Sequence, residues 1–272
     1  LTAAFFYGAK KYFNNITLIE TGLFHRFDAT NILKKNLATI ITSIGLDHLE
    51  WLPKNAQTID KIIYEKTSSL LNSNIVVSKQ SSKDILNKIK SSIKNNMSKK
   101  IIFDDNFTFL INENNFFYYE DEFGSLKLPY PNLIGDFQLS NISTAIATLR
   151  NLNLNISDEQ VKKGITKIKS VARLQEIKKG KLKNLVKNNK LFVDGSHNSL
   201  GAKVLADYLD TLDCKKHMIL GMMANKDHNA YLSHFKNKIS SLTTIDIPNQ
   251  KNAIGRNKLR NKLKLDGLKI NS

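Results

Sequence analysis

Ile40-Ile41-Thr42-Ser43-Ile44-Gly45-Leu46-Asp47-His48 is the stretch whose reading decides the fold. It is an apolar, largely β-branched run that ends in small residues, the pattern of a strand that stops at a tight polar turn. Upstream, Leu1 to Phe13 sets apolar and small residues at helical spacing, and Ile16-Thr17-Leu18-Ile19 repeats the strand pattern. Downstream, Asn55 to Leu71 reads as a helix. Helix, strand, strand and helix in this order predict an α/β domain with a mainly parallel sheet. Ligands of such sheets gather at the carboxyl ends of the strands, where Glu20 and the Gly45-to-His48 turn are expected.

Residues 72 to 130 change character. Ile75-Val76-Val77, Lys100 to Phe103, Phe107 to Ile111 and Phe116 to Tyr119 are short strand-like pieces separated by Asn, Asp and Ser, and read as an antiparallel appendage. Gly135 to Leu154 is helical, with Ala145, Leu149 and Leu152 among its repeating apolar positions. A second helix runs from Ser157 to Ile168, with Gln160 three residues after Ser157 as in a capping box. Near Ser170 the alternation starts again. Leu191 to Asp194 is a strand, Leu200 to Leu212 a helix, His217 to Leu220 a strand, Ala230 to Ile239 a helix and Leu242 to Ile247 a strand. The boundary is therefore placed near residue 169, with a second parallel sheet beyond it. A length of 272 residues accommodates two such domains.

The composition, 41% hydrophobic and 24% charged, is that of a globular protein. No apolar run approaches the roughly 20 residues of a membrane span. The lone Cys214 excludes an internal disulfide and a cysteine metal cluster, in keeping with a reducing cytoplasm. A formal charge of +17 raises the question of nucleic acid. The lysines are scattered, however: Lys83 to Lys100 and Lys178 to Lys190 mix Lys with Asn, Ser and Ile and lack interleaved aromatics. The Lys, Asn and Ile richness reads as coding bias, with anionic substrates or weak, salt-sensitive nucleic-acid binding as the remaining account.

Several residues could carry chemistry. Glu20, followed by Thr21-Gly22-Leu23, is a carboxylate at an expected strand tip and suits a hard cation, although a solvated or paired Glu is the common alternative. Asp47-His48 follows the next strand, so His48 could lie beside Glu20 or be a hydrogen-bonded structural histidine. Lys66, in Glu65-Lys66, belongs to the next helix and by itself reads as part of a solvated face. Asp194-Gly195-Ser196-His197-Asn198 ends a strand and opens a helix, where backbone donors favour an anionic or hydroxylated ligand; a plain capped turn is the competing account.

Taken together and in order, these pieces resemble the folylpolyglutamate synthase and dihydrofolate synthase family, relatives of the Mur ligases. Glu20 to Leu23 with Arg26-Phe27-Asp28-Ala29-Thr30-Asn31 is similar to its E-[VT]-G-L-G-G-R-x-D-A-T-N signature, and Ile41 to Leu52 to I-T-x-I-x-x-D-H-x-x-x-L. Glu65-Lys66, Leu133-Ile134-Gly135 with Gln138 and Asn141, Arg173-Leu174-Gln175, and Asp194 to Asn198 match four further motifs. The resemblance implies a Mur-ligase-like central ATPase domain over residues 1–169 and a smaller, Rossmann-like C-terminal α/β domain over 170–272. It implies an ATP-dependent ligase that activates a dihydropteroate or reduced-folate carboxylate as an acyl phosphate and joins it to L-glutamate. ATP and Mg2+ are its implied cofactors. Glu20 and His48 would hold magnesium, with Lys66 carbamylated as a further ligand. Asn141, Arg173 and Asp194 would contact ATP; Phe27, Asp28 and Ala29 would line the pterin pocket; His197 would lie near glutamate or the phosphates. A cytoplasmic monomer acting on small molecules, without membrane or nucleic-acid partners, is expected.

Three departures stand out. Phe24-His25 replaces the Gly-Gly of the signature, Phe137 replaces the His of H-Q-x-x-N, and no G-x-x-x-x-G-K-[ST] loop occurs in the chain. The family carries that loop upstream of the point matching Leu1, so an N-terminally truncated chain with little activity of its own is expected, as is a short C-terminal sheet. A Mur-type peptide ligase, a non-catalytic remnant and a basic nucleic-acid-associated protein are the rival readings.

Overall fold

The computed structural model describes residues 1–112, 115–263, 268 and 270–272. Contacts divide the chain into two compact units, Leu1–Leu128 with Ser140–Asp158, and Pro129–Leu139 with Glu159–Ser272.

The first unit begins with α1 (Thr2–Ala9), none of whose residues is buried. Its centre is a parallel sheet of β1 (Ala38–Ile41), β2 (Asn74–Val77) and β3 (Lys100–Ile102), in the order β1-β2-β3. The crossovers are α2 (Ile59–Thr67) and α3 (Lys83–Ser92), as parallel pairing requires. Both helices start at hydroxyl caps: Thr58 accepts from Lys61 N and Ser82 from Ile85 N. Ile62, Ile63, Leu86 and Ile89 turn inward and close a core over Ile41, Ile75, Val77 and Ile102. An antiparallel meander follows, formed by β4 (Phe107–Asn112), β5 (Phe116–Asp121) and β6 (Gly124–Pro129). From Ser140 onward α4 (Phe137–Asn151) belongs to this unit.

Three expectations for this unit need correction. Ile16 to Ile19 is not a strand: the segment pairs with no described strand, and Leu18 is 87% exposed. A strand pays its ordering entropy only where a neighbour completes the ladder. The outer edge of β1 is likewise unpaired among the described residues, and Ile40 there is 43% exposed. Second, β2 and β3 are not part of an antiparallel appendage; α3 between them makes a βαβ unit that its lysine-rich outer face concealed. Third, Ala145 of α4 is exposed, and the buried face is Ile142, Ile146 and Ala147 with Ser143, Thr144 and Thr148. Thr144 and Thr148 fit there because their hydroxyls donate to the carbonyls of Ser140 and Thr144.

The second unit contains α5 (Asp158–Lys167), then β7 (Gln175–Glu176), α6 (Lys181–Leu185) and β8 (Phe192–Val193). After these come α7 (Ser199–Asp210), β9 (His217–Leu220), α8 (His228–Ser233), β10 (Ser241–Thr244), α9 (Arg256–Lys262) and β11 (Ile270–Asn271). The parallel sheet has the order β11-β10-β9. Ala202 and Ala206 of α7, Tyr231 and Leu232 of α8 and Leu259 of α9 pack with Leu220 and Leu242. The strand expected at Leu191 to Asp194 does not join this sheet: β8 pairs antiparallel with β7, Gln175 opposite Val193. No described helix is long and apolar enough to cross a membrane.

Candidate functional site

In the first unit the candidate residues collect where the Gly22-to-Asn31 loop meets the end of α2 and the Asp47-His48 turn. Asp28 is the knot of the loop. Its carboxylate accepts from Leu23 N at 2.8 Å, Thr30 N at 2.9 Å and Thr30 Oγ1 at 2.6 Å, and from the Gly22 backbone. Burial opposes its charge, yet these donors outweigh burial and hold its pKa below the usual carboxylate range. The D-x-T spacing is the sequence trace of this turn.

Arg26 ties the loop to α2. Its Nε and Nη2 donate to Glu65 Oε2 and Oε1 at 2.9 and 2.8 Å, its backbone N donates to the Glu65 carbonyl, and Lys61 completes the pairing. Glu65 is 5% exposed, and the Arg26 guanidinium holds its pKa low. The same guanidinium lies 4.1 Å from the Phe27 ring centre. Asn31 adds a bond from Nδ2 to Ser69 Oγ at 3.0 Å.

Two non-glycine residues in left-handed backbone face each other here, Phe24 at φ 53° and His48 at φ 56°. Their rings meet edge to face at 6.1 Å. Phe24 occupies the first Gly of the G-G pair in the family signature and keeps a glycine-like backbone, with its ring packed against the core. The His48 backbone N donates to Asp47 Oδ1 at 2.8 Å. Lys66, one turn beyond α2's buried Ile62 and Ile63, is half-buried. Burial pushes its pKa down against the pull of Asp47. His25 is also depressed, first by burial and further by Lys66, against a hydrogen bond with the Ser69 backbone and the charge of Asp28. Its Nε2 is buried without a hydrogen-bond partner.

The structure thus brings Asp28, His25, Lys66, Asp47 and His48 into one neighbourhood. Phe27 and Ala29 are exposed on the same loop, while Glu20 stands exposed on the unpaired segment before it. Among the described residues no group of three or more His, Cys, Asp and Glu gathers as a metal cluster would. His25 and the Arg26–Glu65 pair carry no spacing signal that the sequence could have offered.

In the second unit Asp194 knots a different loop. Oδ2 accepts from Leu174 N and Oδ1 from Ser196 N, both at 2.8 Å. Gly195 N donates to the Ala172 carbonyl at 2.8 Å, and a Cβ at Gly195 would lie 3.3 Å from that oxygen. Ala172 and Leu174 are left-handed at φ 53° and 48°, and between them Arg173 is exposed. Its backbone is therefore anchored on both sides while its side chain stays free to reach outward. His197 is exposed with Nδ1 3.0 Å from the Gly195 carbonyl, and Asn198 caps α7 through Gly201 N. Ser196 Oγ lies 2.9 Å from the hydroxyl of buried Tyr231. Asn141 is exposed on α4.

No protein-family model matches the chain. It is 26% identical over 233 residues to the dihydrofolate synthase/folylpolyglutamate synthase of Haemophilus influenzae, covering 81% of this chain and 51% of that protein. To the protein of the same name from Buchnera aphidicola subsp. Schizaphis graminum it is 26% identical over 269 residues, 98% of this chain and 59% of the relative. The chain therefore spans about half the length of the curated relatives it matches. Among solved structures, Mycobacterium tuberculosis folylpolyglutamate synthase complexed with ADP and AMPPCP superposes with TM-score 0.80 at 19% identity, over 99% of this chain and 61% of that one. E. coli FolC in complex with DHPP and ADP gives TM-score 0.76 at 22% identity, over 92% and 56%. Over most of its length this chain is similar in sequence to dihydrofolate synthase/folylpolyglutamate synthases, and its α/β fold is that of the solved folylpolyglutamate synthase structures.

Proposed function

We propose that this chain is part of an ATP-dependent ligase that joins L-glutamate to the carboxylate of dihydropteroate or a reduced folate. The observation that carries this reading is the run of six family motifs, in family order, along a chain whose fold matches folylpolyglutamate synthases from end to end. The substrate carboxylate oxygen attacks the γ-phosphorus of ATP and ADP leaves. The glutamate nitrogen then attacks the acyl carbon, phosphate leaves and the nitrogen gives up a proton. Residues 1–169 serve the nucleotide half of this chemistry and residues 170–272 the glutamate half.

Donor chemistry at Glu20, His48 and Lys66 fits a divalent cation: one carboxylate, one imidazole and an amine able to become a second carboxylate. Lys66 suits that conversion because burial favours its uncharged form, the one that adds CO2. When bound, magnesium would neutralise charge on the phosphates. Asn141, Arg173 and Asp194 are assigned to the nucleotide. With both oxygens engaged by backbone N–H groups, Asp194 acts by posting Arg173 outward. Asp28 acts similarly, holding the loop so that Phe27 and Ala29 face the pterin, and His197 attends the incoming glutamate or the phosphates. The protein works as a cytoplasmic monomer on small molecules, without nucleic acid.

The complete reading frame that encodes the chain should incorporate labelled glutamate with ATP and Mg2+ when given dihydropteroate or tetrahydrofolate. The 272-residue chain alone should incorporate little, for want of a phosphate-binding loop. Absence of glutamate transfer to either acceptor by the complete frame would remove the ligase reading.

A further inference from the structure

Between Ile177 and Val193 the chain carries Lys178, Lys179, Lys181, Lys183, Lys187 and Lys190, and no Asp or Glu. The fold makes this stretch a lobe on a two-stranded base. β7 and β8 form the base, Ile177 N extends it by donating to the Leu191 carbonyl at 2.8 Å, and the Phe192 ring meets Tyr208 of α7 edge to face at 5.8 Å. The base runs directly into the Arg173 and Asp194 loop, so the lobe grows out of the candidate site of its own unit. Beyond the base the lobe is ordered. α6 starts at Gly180, left-handed at φ 104°, Asn189 N donates to the Val186 carbonyl at 2.9 Å, and Lys183 Nζ donates to the carbonyls of Lys187 and Asn189.

Lys183 is thus spent inside the lobe. The other five lysines are exposed, and of these only Lys178 meets a carboxylate among the described residues, Glu176 at 3.8 Å. Leu182 and Leu185, three apart on α6 and hence on one face, are 64% and 78% exposed. Compositional bias accounts for lysines; it does not account for two leucines that a hydrogen-bonded lobe holds in water beside them. A dissolved polyanion would use the lysines and leave the leucines wet, and from Ile177 to Leu191 there is no aromatic ring on which a nucleic-acid base could stack. An anionic bilayer uses both, because headgroups take the ammonium groups and the acyl boundary takes the leucines.

We propose that the lobe spanning residues 177–191 is a peripheral docking surface for an anionic lipid bilayer, with its exposed lysines on the headgroups and Leu182 and Leu185 entering the acyl boundary. Such a contact lies on the membrane and needs no spanning helix, so it agrees with the lack of one among the described residues. It replaces the expectation of a chain without a membrane partner, and it does not depend on the ligase reading.

The test is cosedimentation of the 272-residue chain with vesicles of equal parts phosphatidylglycerol and phosphatidylcholine, against phosphatidylcholine alone. The chain should bind the first, ignore the second and be released as salt rises. Lys181→Gln with Lys187→Gln should weaken binding about thirtyfold, about 1 kcal/mol for each lysine, and Leu182→Ser with Leu185→Ser about tenfold. Urea midpoints equal to the parent's establish that both double variants fold. As a direct readout, Leu185→Trp on a Trp51→Phe background, which removes the chain's one tryptophan, should shift its emission to the blue on the anionic vesicles and be quenched by brominated acyl chains. This reporter decides the matter should a double variant misfold. Failure to bind anionic vesicles, a tryptophan that stays wet on them, or double variants that bind like the parent overturns the proposal. Binding of a single-stranded oligonucleotide as tight as that of the vesicles, and equally indifferent to the leucine changes, overturns it in favour of nucleic acid.

Discussion

The Asp28 loop of the first unit and the Asp194 loop of the second use the same device for different ends. In each, both oxygens of one carboxylate collect backbone N–H groups, and the loop they hold contains left-handed residues that are not glycine. Such residues cost about 1 kcal/mol each and persist only where their surroundings determine them. In the second unit the strained pair presents a single exposed arginine. In the first, the loop buries Nε2 of its own His25 and is bolted to α2 by the part-buried Arg26–Glu65 ion pair. The work of each carboxylate in this architecture is to fix a backbone.

The largest effect should come from the bolt that only the first loop has. Glu65→Ala leaves Arg26 and Lys61 without their common partner and opens a hole beside α2, and should cost about 3 kcal/mol in urea unfolding. An unchanged midpoint would mean the loop is held by Asp28 alone. Next, Asp28→Ala and Asp194→Ala should each cost about 2 kcal/mol, since each strands two or more backbone donors. Hydrogen exchange should speed up at Leu23 and Thr30 in the first variant and at Leu174 and Ser196 in the second, without crossover. Exchange that spreads evenly would show that neither carboxylate acts locally.

A pH series sharpens the contrast from another side. The folded-state pKa values of Asp28 and Glu65 are depressed, so their stabilisation is fully present above the ordinary carboxylate pKa of about 4 and is lost as pH falls through the lower folded values. The acid dependence of unfolding should therefore flatten in the Glu65→Gln variant at low pH. The smallest effect is expected for Phe24→Gly, where relief of the left-handed backbone, about 1 kcal/mol, offsets lost ring packing. Its signature should be a changed ring-current shift at His48, and an unchanged shift would deny Phe24 any hold on that imidazole.

Much of this was legible in the amino-acid order. Periodicity placed α2 and with it Lys66, the apolar run placed β1 and the Asp47-His48 turn, and β9 and β10 fell where their β-branched and apolar residues predicted. The Asp194-Gly195-Ser196 pattern marked the turn of the second unit. These signals are local: a helix face, a strand pattern or a side chain bonding to its own backbone needs no knowledge of distant residues.

What escaped was every feature decided by a partner far along the chain. Ile16 to Ile19 has the composition of a strand but no described neighbour to pair with; β2 and β3 take the parallel direction only because α3 carries the chain back; β8 pairs with β7 and not with the sheet of its own unit. His25 reads only as a replacement of a signature glycine until folding buries one of its nitrogens. The sequence by itself determined the α/β alternation, the family likeness and the residues able to do chemistry, because propensity and motif are written in neighbouring positions. Tertiary structure alone decided strand partners, burial and the meeting of charges, because those energies depend on groups tens of residues apart that only the folded chain brings together.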